Sequence, residues 1–231
     1  MVETLRSTVA RLPDKRTGTN TQYNMEDVAL GAFSVFFTQS PSFLSFQKSM
    51  QQNKGQSNAQ TLFQMKQIPS DNHIRDLLDE VEPSCLYPVF DCFLDSIKQS
   101  GNLDEFRSYH GNLLCALDAT QYFSSHNIHC QNCSTKKHKK TTTYFHTAIT
   151  PVFVAPGNPK VISLPPEFIT PQDGHKKQDC ENAAAKRWLN QYAPRYKDLA
   201  ITILGDDLYC REPICNAALS HELDFIFVCK P

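Results

Sequence analysis

Two aspartates in the second half of the chain stand behind short apolar runs: Asp118 closes LLCALD (113–118), and Asp206 follows LAITIL (199–204) and Gly205. Such runs predict strands, which puts each acid at a strand's carboxyl end. Where neighbouring strands run parallel those ends share one edge, the place where ligands bind to such sheets. Two carboxylates brought together there repel unless a cation lies between them. Mg²⁺, hard and oxygen-seeking, suits the pair. Two such ions roughly 3.5–4 Å apart can activate water or a 3′-hydroxyl and stabilise the leaving oxygen of a phosphodiester. Either aspartate alone reads more simply as a turn former or helix cap; the argument rests on the pair.

A second group has softer chemistry. His129-Cys130-Gln131-Asn132-Cys133 contains a Cys-x-x-Cys, with His138 five residues further on. A two-residue gap lets both thiolates reach one Zn²⁺, which takes four sulfur or nitrogen ligands in a tetrahedron. Cys130, Cys133 and His138 are thus candidate zinc ligands. His146, His175 and Cys180 are candidates for the fourth position, and the spacing does not choose among them. Reduced cysteines in an ordered loop fit the same pattern, as does a redox pair, although the motif does not open a helix in a βαβ unit as a thioredoxin-like site would. A hydrolase using Cys130 or Cys180 with a histidine lacks any supporting motif. The cysteines lead directly into Lys136, Lys137, Lys139 and Lys140, which would offset phosphate charge near the aspartates and give sequence-independent, salt-sensitive attraction. Lys176, Lys177, Lys186 and Arg187 extend this basic surface, while Trp188 reads as core.

The elements that must position these groups come in two styles. Residues 1–22 are polar and predict a flexible tail. Residues 23–110 are helical in pattern. Asn24 caps a helix up to Ser40-Pro41, a second segment starts at Ser42 and dissolves into the polar run 51–60, Ser70 or Asp71 caps a third, and a fourth runs from Tyr87 to Gln99 before Gly101. From Leu113 the character changes. Strands are predicted at 113–118, 141–155, 160–164, 199–204 and 224–229, with helices at 178–192 and 212–222. The order β, β, β, α, β, α, β gives a hairpin followed by crossover connections, hence a mixed sheet with flanking helices in an α/β (α+β) fold.

Composition bounds the function. Of 231 residues, 23 are Lys or Arg and 24 Asp or Glu, a net charge of -1, and 40% are hydrophobic. No apolar run approaches the ~20 residues of a membrane-spanning helix, and the first residues carry no secretory pattern. Nine cysteines, an odd number, then read as cytosolic thiols or metal ligands. Charge is unevenly distributed: residues 131–197 hold 11 basic and 4 acidic side chains, whereas 71–107 hold 3 and 9. The middle of the chain attracts polyanions and its flanks repel them.

The stretches LDATQYFSS (117–125), HCQNC (129–133), PPEFITPQDGHKKQDCE (165–181), AAAKRWL (183–189) and GDDLYC (205–210), with IPSDNHIRDLLDEV (68–81) upstream, together resemble bacterial insertion-sequence transposases of the DDE type. The resemblance covers about residues 25–231. It implies a ribonuclease-H-like domain over 111–231 behind a helical, DNA-binding region, and DNA strand cleavage and transfer dependent on Mg²⁺ or Mn²⁺. It makes Asp118 the first acid and Asp206 the second, with Asp207 as its neighbour. It also implies transposon-end and target DNA as partners, homo-oligomers or a second polypeptide, and a bacterial cytoplasmic, nucleoid-associated location. The third acid of that family is a glutamate on a helix after the last strand. Here Lys230-Pro231 follows FIFVC at once, and Glu222 and Asp224 precede that strand, so the chain reads as C-terminally incomplete and inactive by itself. The alternative expectation is a DNA-binding remnant without catalysis.

Overall fold

The computed structural model describes residues 2–18, 21–171 and 180–229, and the chain divides into two compact units, Met1–Phe93 and Leu94–Pro231. The first is helical: α1 (Val2–Val9), α2 (Met25–Phe37), α3 (Phe43–Met50), α4 (Asn53–Thr61) and α5 (Asp71–Leu78). Asn24 caps α2 as expected, its Oδ1 accepting the Asp27 N–H at 2.7 Å, and Ser42 caps α3 through the Ser45 N–H. Two segments differ from the sequence reading. Where a flexible tail was expected over 1–22, α1 buries Leu5 and Val9 in one apolar cluster with Leu12, Leu30 and Phe63. The polar run 51–60 holds α4, which buries Ala59 in the same cluster. Both helices are short and mostly polar, and packing rather than intrinsic propensity orders them.

A further helix, α6 (Tyr87–Gln99), ends before Gly101, whose φ of +76° is the left-handed conformation that glycine adopts without penalty. The division between units falls inside α6 rather than near residue 110. Leu103 and Phe106, in the turn after it, are buried within the second unit.

That unit is mixed α/β. Its strands are β1 (Leu113–Ala116), β2 (Ala119–Ser125), β3 (Ser134–His138), β4 (Thr141–Ile149), β5 (Val152–Ala155), β6 (Asn158–Ser163), β7 (Glu167–Ile169), β8 (Ile201–Gly205) and β9 (Asp224–Phe227). Its helices after α6 are α7 (Glu181–Tyr196) and α8 (Glu212–Ser220). Five strands form one sheet in the order β6-β5-β1-β8-β9. β6, β5 and β1 are antiparallel neighbours, whereas β1, β8 and β9 run parallel, with α8 crossing over between the last two. At the amino ends of the parallel strands the Asn112 amide bridges Thr202 Oγ1 and Asp224 Oδ2 at 3.0 and 2.9 Å.

β2, β4 and β3 form a second sheet, with β7 paired to β4. The run 141–155, predicted as one strand, is divided at Thr150-Pro151, yet its register is unbroken. Leu114 opposes Val154, Ala116 opposes Val152 and Ala119 opposes Ile149, each step along one side matched by one step back along the other. The two sheets are therefore joined by one long hairpin, with Asp118 at the joint, where its carbonyl accepts the Thr150 N–H at 3.0 Å. α7 packs its apolar side inward. Trp188 is fully buried, as expected of core, with its indole N–H donating to the Pro165 carbonyl at 2.8 Å, and Tyr196 meets Phe153 of β5 edge-on. Among the described residues no helix is long and apolar enough to cross a membrane.

Candidate functional site

β1 and β8 are parallel neighbours with Ala116 opposite Leu204, and the Leu117 N–H still donates to the Leu204 carbonyl at 2.9 Å. Asp118 and Asp206 each lie two residues beyond that last matched pair, at the carboxyl ends of adjacent strands, and both are exposed. Each also makes a local turn contact. Asp118 Oδ1 accepts the Ala119 N–H and Asp206 Oδ1 the Leu208 N–H, both at 2.9 Å. These contacts set the orientation of each carboxylate and leave oxygen lone pairs for a cation.

Tyr209 holds the Asp206 loop from beneath. Its ring is fully buried against Gly205, and its hydroxyl donates to Glu181 Oε1 at 2.6 Å, at the start of α7. Burial above all, then the Glu181 carboxylate, and then the charges of Asp118 and Asp206 push the Tyr209 hydroxyl well above its ordinary range, so it remains a donor. Glu181 was not foreseen from the sequence. Its only local signal is its place in the first turn of a helix, where acids are common anyway. Glu222 and Asp224 bracket the start of β9, at the opposite end of that strand from the Asp206 loop.

The cysteine and histidine group comes together with one change of partner. Cys130 and Cys133 Sγ are 3.9 Å apart, and His146 Nε2 lies 3.4 and 3.3 Å from them. An ion held tetrahedrally at Zn–S ~2.3 Å and Zn–N ~2.0–2.1 Å separates two sulfurs by about 3.8 Å and sulfur from nitrogen by about 3.6 Å. The three side chains could therefore hold a metal such as zinc. His138 does not belong to the group: it ends β3 opposite Thr141, at the far tip of the β3–β4 hairpin, four positions beyond the residue that follows Cys133. His146 replaces it because β4 returns past the root of that hairpin, where Ser134 opposes Phe145.

A bulge between Gln121 and Phe123 brings two aromatic rings to His146, Tyr122 stacked at 5.7 Å and Phe123 tilted at 5.5 Å. The resulting burial lowers the His146 pKa, favouring the neutral imidazole that binds metal, and burial raises the Cys133 thiol. Cys180, before α7, does not join the group among the described residues, and His175 lies outside them.

Of the expected basic residues, Lys136, Lys137, Lys139 and Lys140 are exposed on the β3–β4 hairpin, and Lys186 is exposed on α7. Lys176 and Lys177 lie outside the described residues. Arg187 corrects the sequence reading. Its guanidinium donates to Glu167 Oε1 at 2.7 Å and to the Phe168 carbonyl, so it ties α7 to β7 instead of offering a free cation to solvent. No family model matches the chain, and no curated protein or solved structure matches it.

Proposed function

We propose that the second unit is a ribonuclease-H-like domain of the DDE transposase lineage, which uses Asp118 and Asp206 to hold Mg²⁺ or Mn²⁺ and cleaves and transfers DNA strands. The observation that carries the reading is the parallel register of β1 and β8, which brings both acids to the carboxyl ends of neighbouring strands. The strand order supports it: an antiparallel trio continued by two parallel strands with crossover helices is what that fold class expects. Exposed carboxylates on an open edge suit a long polyanionic substrate approaching with a divalent ion. Such an ion would activate water or a 3′-hydroxyl and stabilise the leaving oxygen. The chain's own part is to fix both carboxylates, through the turn contacts of Asp118 and Asp206 and the Tyr209–Glu181 hydrogen bond.

At the second site we assign zinc, since two thiols and an imidazole prefer it to a hard ion. Among the described residues these supply three of its four ligands, and by joining Cys133, before β3, to His146 on β4 the ion would brace that hairpin.

One observation favours a second reading, DNA binding without catalysis: among the described residues no third acid joins Asp118 and Asp206 in a ligand-sized group. Nicking of a supercoiled plasmid in Mg²⁺ or Mn²⁺ separates the two. The enzyme reading expects metal-dependent nicking that falls about 10³-fold in Asp118→Asn and in Asp206→Asn, the weight of several kcal/mol of lost charge stabilisation. Binding of DNA with no nicking in either metal supports the second reading.

A further inference from the structure

The β3–β4 hairpin is built in a way that its own side chains do not explain. β3 is Ser-Thr-Lys-Lys-His, with only Ser134 buried and no apolar side chain. Lys139, with φ +53°, turns the chain into β4, so Lys136, Lys137, Lys139 and Lys140 crowd one short hairpin. Among the described residues none of the four is in an ion pair. Beyond Tyr144, where β2 stops pairing with β4, only two strands remain; a tip with so little to bury is marginal in water, and mutual repulsion among its cations weakens it further.

Two features offset this. The root of the hairpin is the Cys130–Cys133–His146 group: Cys133 immediately precedes β3, and His146 lies on β4 next to Phe145, the partner of Ser134. The tip, by contrast, is exposed, and a polyanion laid along its lysines would relieve their repulsion. The nine residues of β4 span about 27 Å at ~3.4 Å per residue, so the lysines project well away from the Asp118 joint.

We infer that zinc on Cys130, Cys133 and His146 roots this hairpin in an extended form, and that its lysines then bind the phosphate backbone of double-stranded DNA, so that metal occupancy controls non-specific DNA affinity. This rests on the reading of DNA as the substrate, but not on catalysis by the aspartates. Two thiolates neutralise Zn²⁺ and His146 is neutral, so the centre adds no net charge and its effect on DNA passes through hairpin order alone. Phosphate contacts of this kind carry no base specificity and release counterions.

The test is anisotropy of a labelled duplex of arbitrary sequence, without Mg²⁺, between about 50 and 200 mM salt. The purified full chain should contain one zinc, lost in Cys133→Ser and His146→Asn but kept in Cys180→Ser. Four phosphate contacts contribute a slope of about -3.6 to log K against log salt, so replacing all four lysines with glutamine should remove about that much of the slope. Because it alters only exposed side chains, that variant should keep its zinc. Treating the wild type with a zinc-selective chelator should reproduce the loss, and should add nothing in the lysine variant. Hydrogen exchange across 134–145 should speed up on chelation.

Zinc absent from the wild type, or a salt slope unchanged by chelation, overturns the proposal. So does chelation-sensitive binding to anionic lipid vesicles as tight as to the duplex, which would assign the hairpin to membranes. This readout needs neither Mg²⁺ nor either aspartate, so a failure of nicking leaves this inference intact and its own failure leaves the aspartate site standing.

Discussion

A Cβ placed on Gly205 would lie 2.9 Å from three atoms of Tyr209, closer than side chains pack. The residue before Asp206 is thus small because the ring beneath it is large, and the ring is held by Glu181. Gly205→Ala should cost roughly 1–3 kcal/mol, as overpacking does, seen as a lower urea midpoint; an unchanged midpoint would mean that the loop yields freely. Tyr209→Phe keeps the ring and removes the donor. Because Glu181 is only half-buried and can turn to water, the loss should be about 1 kcal/mol, with a larger relative effect on any metal-dependent activity than on stability. The strand-end positions of both aspartates and the two-residue spacing of both cysteines were legible in the sequence because they are local features. It did not select His146 over His138, because that choice depends on cross-strand register and on a bulge at Tyr122, neither of which is written in spacing. Arg187 shows the converse: a basic residue in a basic stretch whose charge is spent on Glu167 across the fold.

The strands of the main sheet were readable because each is apolar and bounded by turn residues, whereas β2, β3 and β7 were not, being polar or too short to show alternation. β3 is ordered by pairing with β4, and α1 by Leu5 and Val9 meeting a cluster assembled from distant helices. The link from α1 to α2 is fastened by Arg16, which holds Asp14 at 2.6 Å and the Tyr23 carbonyl at 2.8 Å. That hydrogen-bonded guanidinium lowers the Asp14 pKa to about 2 from an ordinary 3.8. A carboxylate depressed in the folded state contributes stability above its unfolded pKa and loses it as pH falls towards the folded one. Asp14→Asn should therefore narrow its stability difference from wild type as pH drops from 5 to 2; a constant difference would contradict the contact. Before β8, Ala200 stands exposed at φ +51°, a left-handed conformation that a Cβ disfavours. Ala200→Gly should raise stability by up to about 1 kcal/mol, the relieved strain less the added freedom of the unfolded chain. A fall in the thermal midpoint would show that the strain is absent.

Across the whole chain, the near-neutral total of 23 basic and 24 acidic residues conceals a basic middle, and the structure puts four of those lysines on one exposed hairpin of the second unit. One long hairpin, β1–β2 against β4–β5, runs from the sheet edge at Asp118 to His146 beside the cysteines, so the proposed catalytic and DNA-holding functions share that framework. The two proposed metal sites differ in donor chemistry: oxygen at the sheet edge, sulfur and nitrogen at the root of the extension. The central claim is that the sheet edge binds a hard divalent ion. Titrating the zinc-loaded full chain with Mn²⁺, and following free Mn²⁺ by its electron paramagnetic resonance signal, tests this without requiring turnover. Saturable uptake at the sheet edge, abolished by Asp118→Asn and by Asp206→Asn but retained in His146→Asn, is the expected result. Uptake indifferent to both aspartates, or no uptake at millimolar Mn²⁺, would contradict it.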